Sequence, residues 1–324
     1  MSTVYPYDVS IVVPLYNEEE SLPELEVWIR EVLLHHNLSY EIIFVDDGST
    51  DHSWDVIQQL ASQNASVKAY KFNRNYGKSA GLHMGFKAAK GEVVITMDAD
   101  LQDSPDEIPE LVKMVRSGYH LVSGWKKKRY DPITKTIPTK LYNWAARRMS
   151  GIQLNDFNCG LKAYQHKVVK SIEVYGEMHR YIPVIAKWNG YYKIGEKVVQ
   201  HRARKYGSTK FGWERFLYGP LDLLSISFVS KFKKRPMHFF GSMGVVAFLF
   251  GLSITGYLIF DKLYSIYFSH HGIQRDVVNN TWFYLALVSI ILGVQLFLAG
   301  FLGEMMIQQS DKKSDYLVEE QIGL

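Results

Sequence analysis

The chain has 324 residues, 47% of them hydrophobic and 22% charged, a balance that excludes a disordered or low-complexity protein. Its formal net charge of +4 is too small to point to nucleic acid, whose binders carry a stronger basic excess gathered on one face. The single cysteine, Cys159, excludes a disulfide framework and fits a reducing compartment; a small buried thiol accounts for it without catalysis.

Hydrophobic periodicity predicts alternating strands and helices from the start of the chain. Val9 to Val13 reads as an apolar strand ended by Pro14, and Glu18 to Leu34 as a helix. Glu41 to Val45 is the next strand, followed by a helix over Ser53 to Ala61, a strand over Val67 to Phe72 and a helix over Ser79 to Ala89. Val93 to Met97 then forms a buried strand with Asp98 at its end. Repeated strand–helix units predict an α/β domain with a mainly parallel sheet, whose ligands lie beyond the carboxyl ends of the strands.

The last third of the chain changes character. Trp213 to Phe232 has apolar Trp213, Phe216, Leu217, Leu221, Leu224, Ile226 and Phe228 and a break near Gly219-Pro220, which suits amphipathic helix in a headgroup region or packed on the soluble domain. Met237 to Phe260 and Thr281 to Gly303 contain no Lys, Arg, Asp or Glu. At about 1.5 Å per residue each crosses an apolar core of about 30 Å. Lys231, Lys233, Lys234 and Arg235 precede the first run and Lys312 and Lys313 follow the second, outnumbering Lys262 and Arg275 between them. The basic flanks predict both ends on the cytoplasmic side of the inner membrane, and the polar Met1 to Tyr7 stretch, without a signal-peptide pattern, predicts a soluble part that stays there. The Asn279-Asn280-Thr281 triplet abuts the membrane and is read as incidental. The expected organisation is a soluble domain over 1–212, a juxtamembrane segment over 213–236, a two-helix hairpin over 237–307 and a cytosolic tail over 308–324.

Polar clusters follow each of the four early strands: Pro14-Leu15-Tyr16-Asn17-Glu18, Asp46-Asp47-Gly48-Ser49-Thr50-Asp51, Asn73-Arg74-Asn75-Tyr76-Gly77-Lys78 and Asp98-Ala99-Asp100-Leu101-Gln102. One alone would serve as a loop or helix cap, but all converge on one sheet edge. The i, i+2 pair Asp98 and Asp100, with the Gln102 amide oxygen, offers hard oxygen ligands to Mg²⁺ or Mn²⁺. Such an ion would neutralise charge growing on a departing diphosphate. No Gly-x-x-x-x-Gly-Lys-Ser/Thr loop is present, which argues against P-loop ATP hydrolysis.

These clusters, with Asp156-Phe157-Asn158-Cys159-Gly160-Leu161-Lys162, His179-Arg180-Tyr181-Ile182-Pro183 and Gly207-Ser208-Thr209-Lys210, resemble family 2 glycosyltransferases of GT-A-type fold. The resemblance is to the dolichyl-phosphate mannose synthase and polyisoprenyl-phosphate glucosyltransferase group and covers nearly the whole chain. It implies a nucleotide-sugar donor, a polyprenyl-phosphate acceptor and a divalent ion, with an oligomer left open. By position it implies that Pro14, Tyr16, Glu18, Asp46 and Asp47 hold the nucleoside, that Lys78, Arg202 and Lys210 approach the diphosphate, and that Asp98, Asp100 and Gln102 hold the metal. Asp100 and Asp156 are the catalytic candidates, Asp156 as a base or as a residue that positions the sugar.

The sequence departs from the group after Gly124, where Trp125-Lys126-Lys127-Lys128-Arg129 stands in place of an early arginine. Lys126 and Arg129 are the candidates to clamp the lipid phosphate, unless the run is only a solvated loop. Gln200-His201-Arg202-Ala203-Arg204 does not match the Gln-x-x-Arg-Trp motif of processive members, which argues against polymer synthesis. The predicted activity is inverting hexosyl transfer, with UDP-glucose the first donor and GDP-mannose the second. The alternatives are transfer to another membrane lipid such as diacylglycerol or ceramide, a catalytically silent nucleotide-sugar-binding scaffold, and a small transporter subunit.

Overall fold

The protein is described by a computed structural model over residues 4–127, 143–202 apart from 145, 149 and 177, 205–206, 236–268, 277–309 and 318–323. The chain divides into two compact units, Met1–Ile226 with Ser314–Leu324, and Ser227–Lys313.

The first unit is built on strands β1 (Tyr7–Leu15), β2 (Tyr40–Asp46), β3 (Val67–Phe72), β4 (Gly91–Thr96), β5 (Leu121–Trp125), β6 (Lys162–Gln165), β7 (Ile194–Val198) and β8 (Val318–Ile322). They form one sheet in the order β7-β5-β6-β4-β1-β2-β3-β8. Strands β3, β2, β1 and β4 run parallel, β6 is antiparallel to both β4 and β5, and β8 is antiparallel to β3. The helices are α1 (Leu22–His35), α2 (Ser53–Gln63), α3 (Lys78–Ala88), α4 (Ile108–Arg116), α5 (His166–Ser171) and α6 (Ile182–Trp188).

The near-continuous apolar runs of the central strands are explained by burial on both faces. Val9, Ile11 and Val13 share one core with Ile42, Phe44, Val93, Ile95 and the α1 residues Leu22, Leu25, Ile29 and Leu33. Val12, Ile43, Val45 and Val94 point the other way, into a second core with Ala80, Leu82 and Phe86 of α3. Helix α3 packs close because Gly85 has no side chain: a Cβ there would stand 2.2 Å from Val12 Cγ1. At the amino ends of the strands, buried Glu41 accepts from Lys68 Nζ and Ser10 Oγ, both at 2.6 Å, and from the Lys90 amide.

Three expectations shift. Strand β1 passes through Pro14 to Leu15, paired with Asp46. Its pairing with β4 ends at Val12, so the N–H that proline lacks would face no partner strand. Helix α1 starts at Leu22 rather than Glu18, because residues 18–21 form a turn in which the Ser21 amide donates to Glu18 O. The segment expected as a tail contains β8, which adds to the edge of the sheet at β3.

The second unit is a helical hairpin of α7 (Pro236–Phe268) and α8 (Thr281–Gln309), both long and apolar enough to cross a membrane. Helix α7 runs past the apolar segment and includes Asp261 and Lys262, the lysine having been expected between the two runs. Only 17% and 22% of the respective apolar windows are buried, which distinguishes them from core helices of a soluble fold. Glycines set their contact: a Cβ on Gly244 would lie 2.6 Å from Gly293 O, and one on Gly251 2.7 Å from Ala286 O. Small residues thus let the two backbones approach, the usual basis of helix packing where lipid removes the hydrophobic drive. The expected amphipathic segment from Trp213, the basic flanks 231–235 and 312–313, and Arg275 lie outside the described residues.

Candidate functional site

The carboxyl ends of β1, β2, β3 and β4 bring the four polar clusters to one edge. The first two are strapped together. Asn17, at φ 56°, donates its amide to Ser49 Oγ and accepts from the Thr50 amide at 2.8 Å, while the Glu18 amide donates to Ser53 Oγ. Tyr16 and Glu18 are half-buried in this loop, and Pro14 lies under Gly81, where an added Cβ would meet the proline Cβ at 2.9 Å. Asp46 is fully buried. Its Oδ1 accepts from the Ser49 amide, its Oδ2 has no hydrogen-bond partner among the described residues, and burial raises its pKa. An orphaned acceptor there suits a ligand N–H or hydroxyl. Asp47 serves the frame instead, since its two oxygens accept from the amides of Tyr76 and Gly77 and so fix the third cluster. Gly48, at φ 72°, lets that cluster close up, since a Cβ would fall 2.6 Å from the Arg74 carbonyl carbon.

Lys78 opens α3 and forms an ion pair with Asp98, the first residue of the fourth cluster. Burial raises the Asp98 pKa, but the charges of Lys78, Lys126 and Lys162 outweigh it and hold the carboxyl at about 2. Asp100 is pushed up to about 6 by burial and by the charges of Asp98 and Asp103. Leu101, at φ 59°, holds a left-handed conformation that non-glycine residues rarely adopt, and the Gln102 amide turns back to Asp100 Oδ1 at 3.2 Å. Among the described residues no three His, Cys, Asp or Glu side chains form a protein-only metal cage. The chemistry of the donor set nevertheless fits Mg²⁺ or Mn²⁺. Two carboxylates and an amide oxygen leave room for phosphate and water, and a carboxylate raised by its anionic neighbours is one a cation would stabilise.

Asp156 lies in the loop before β6 and is 1% exposed. Of that loop, Gly160 packs against Asp98, while the Cys159 thiol lies against Gly124. A Cβ on Gly160 would stand 2.5 Å from Asp98 Oδ2, and the fully buried Cys159 thiol is pushed up to about 12, mainly by burial. That shift makes it a packing residue, not a nucleophile. Lys162 donates to the Cys159 carbonyl; its pKa is lowered by burial and by Lys78, while Cys159, Asp156 and Asp98 work to raise it. Both aspartates therefore act on one buried ammonium. Lys162, Gly160 and Asp103 were not singled out from the sequence, although the first two stand inside a quoted motif and Asp103 directly follows another.

The remaining candidates are arranged differently. Lys126 is not a surface residue: its side chain is 12% exposed and pairs at 2.7 Å with the buried Asp103 carboxylate. The Arg202 amide donates to Gln102 O, but its guanidinium stacks on Trp28 at 4.1 Å and lies 4.0 Å from Asp106. Arg129 and Lys210 fall outside the described residues.

A sequence profile described as glycosyl transferase family 2 matches residues 10–172, a span from β1 through Asp46, Asp98, Asp100 and Asp156 into α5. The chain belongs to that family. A family 2 glycosyltransferase accounts for the acidic cluster at the carboxyl ends of a mainly parallel sheet. The chain is 33% identical over 324 residues to dodecaprenyl-phosphate galacturonate synthase of Rhizobium johnstonii, covering 98% of this chain and 94% of that one. It is 36% identical over 259 residues to undecaprenyl-phosphate 4-deoxy-4-formamido-L-arabinose transferase of Pseudomonas savastanoi pv. phaseolicola, covering 79% and 74%. Its fold is similar to that of glucosyl-3-phosphoglycerate synthase from Mycobacterium tuberculosis, solved with Mn²⁺ and UDP-glucose. That match has a TM-score of 0.53 and 20% identity, over 69% of this chain and 79% of the other.

Proposed function

We propose that this glycosyltransferase transfers a sugar from a nucleoside-diphosphate donor to a polyprenyl phosphate, working at the cytoplasmic face of the inner membrane. The observation that carries the reading is the 33% identity over 98% of the chain, apolar hairpin included, to a relative whose name specifies a polyprenyl-phosphate product. The antiparallel pairing of β8 with β3 supports the topology. The strand that follows the second apolar helix joins the same sheet that precedes the first, as an even number of crossings requires.

Asp46 offers its orphaned oxygen to the nucleoside, with Pro14, Tyr16 and Glu18 beside it, while Asp47 maintains the loop that delivers Lys78. Lys78, ion-paired with Asp98, would help neutralise the diphosphate. Asp98, Asp100 and Gln102 would hold Mg²⁺ or Mn²⁺, which supplies charge to the departing diphosphate. The acceptor phosphate oxygen attacks the anomeric carbon from the face opposite the leaving group. The anomeric C–O bond breaks, and its electron pair leaves with the nucleoside diphosphate. A phosphate monoester has a second pKa of about 6, so at neutral pH the nucleophile is already an anion and needs no base. Asp156 then orients the sugar. Lys126, held by Asp103, contributes field to the acidic cluster, and Arg129 is the candidate to meet the lipid phosphate.

The donor proposed from the sequence is UDP-glucose, then GDP-mannose; the relatives add nucleotide-linked galacturonate and 4-deoxy-4-formamido-arabinose. The test is lipid-extractable radiolabel from purified protein, Mn²⁺, undecaprenyl phosphate and these donors. Label in the lipid phase that depends on both metal and lipid phosphate is the expected result. Label transferred to diacylglycerol and not to undecaprenyl phosphate would overturn the acceptor assignment.

A further inference from the structure

The Asp156 loop is held from a strand outside the matched profile. Glu196 on β7 receives three hydrogen bonds: Oε1 accepts from the backbone amides of Asn155 at 2.7 Å and Asp156 at 2.9 Å, and Oε2 accepts from Asn155 Nδ2 at 2.7 Å. Two amides gathered on one charged oxygen fix the direction in which residue 156 leaves the backbone, and charge-assisted bonds are the stronger kind. On the other side the Asn158 amide donates to Asp156 Oδ1 at 3.1 Å, which turns the side chain toward the buried loop. The Asp156 carboxylate thus has its backbone set by Glu196 and its side chain set by the turn that follows. Strand β7 pairs with β5 through Ser123↔Glu196, so the clamp is built into the sheet and does not hang on a loop.

We infer that Glu196 is a positioning residue for the glycosyl transfer, acting on the reaction through Asp156. This rests on the reading of Asp156 as the residue that orients the sugar. Glu196 itself needs no contact with donor or acceptor. Releasing it lets the Asp156 backbone drift, and a displacement of about 1 Å of a group that orients a reactant costs about 100-fold in rate.

The test compares the full-length wild type with Glu196→Ala, Glu196→Gln, Asp156→Asn and the Glu196→Ala/Asp156→Asn double variant. Each is assayed with undecaprenyl phosphate, Mn²⁺ and UDP-glucose, GDP-mannose and UDP-galacturonic acid as donors, alongside Mn²⁺ affinity by electron paramagnetic resonance. Glu196→Ala is expected to lower kcat by about 10- to 100-fold with the donor KM within about threefold. Mn²⁺ affinity should be unchanged, since the hydrogen-bond partners of Glu196 among the described residues are Asn155 and Asp156 and not Asp98, Asp100 or Gln102. Glu196→Gln keeps an oxygen for both amides and should recover most of kcat. The double variant should be no slower than Asp156→Asn, because the second change removes a support whose object is already lost.

Wild-type kcat in Glu196→Ala beside a slow Asp156→Asn would overturn the clamp and leave the site reading intact. So would a double variant slowed by the full product of the two single effects. Full activity in Asp156→Asn would instead overturn the reading of Asp156, and with it this inference.

Discussion

Replacing Gly160 by alanine separates the acidic cluster from the stability of the fold. Gly160 is not in the left-handed region, so its backbone accepts alanine without strain. The new Cβ would stand 2.5 Å from Asp98 Oδ2, 2.7 Å from its Cγ and 2.8 Å from Oδ1, where 3.4 Å is the near limit of ordinary contact. The nearest obstructing atoms all belong to the end of one side chain, so the Asp98 carboxylate must move by about 0.9 Å while the backbone stays. Gly→Ala at a compatible position stabilises by about 0.4–1 kcal/mol through the unfolded chain, so Tm should hold or rise slightly. A shift of about 1 Å in a positioned group costs about 100-fold in rate, equivalent to about 2.7 kcal/mol of barrier. The assay is initial rate of lipid-linked product against Mn²⁺ concentration, with thermal unfolding on the same preparation and Gly256→Ala as control, because nothing lies within 4 Å of a Cβ at Gly256. Wild-type kcat/KM and wild-type Mn²⁺ dependence in Gly160→Ala would refute the placement of Asp98 in the reaction.

Removal of divalent metal with EDTA should abolish transfer, and added Mn²⁺ or Mg²⁺ should restore it; undiminished turnover in EDTA would remove Asp98, Asp100 and Gln102 from a metal role. Gly244→Leu should drive the hairpin helices apart and lower the unfolding temperature in detergent, at a cost of about 1–3 kcal/mol, whereas Gly256→Leu should be nearly neutral; equal effects would contradict the helix contact. Lys68→Met leaves Glu41 buried with its charge unpaired and should destabilise by about 3–5 kcal/mol, read by urea denaturation. Burial opposes the Lys68 charge but Glu41 outweighs it and raises the lysine pKa, so the stability from this pair is present below about pH 10.5 and lost as pH rises through the folded value. A wild-type stability curve that stays flat through that window, or one that climbs, would show that the pair contributes nothing.

Much of the fold was legible in the residues because the signals are local. Apolar runs of strand length separated by amphipathic stretches identify β1 to β4 and α1 to α3, and the polar clusters at the strand ends follow from chain order alone. The two apolar helices were equally plain, since length and absence of charge decide them. Helix and strand ends were less so, because Pro14 is tolerated only where β4 has already stopped pairing with β1. What each charged side chain does lay beyond the sequence. Asp46 and Asp47 are adjacent and alike on paper, yet among the described residues one keeps an unpartnered oxygen and the other uses both oxygens on the 76–77 backbone. Lys126 reads as a surface cation and is instead largely covered, paired with the buried Asp103. Glu196 stands 40 residues from Asp156 with no motif to mark it. Position along a strand is set by neighbours in the chain, so sequence alone determined that the polar clusters gather at the carboxyl ends of the strands. The partner of a charge is set by which strands and loops lie side by side, so only the tertiary structure decided which carboxylate oxygens are taken up by the frame.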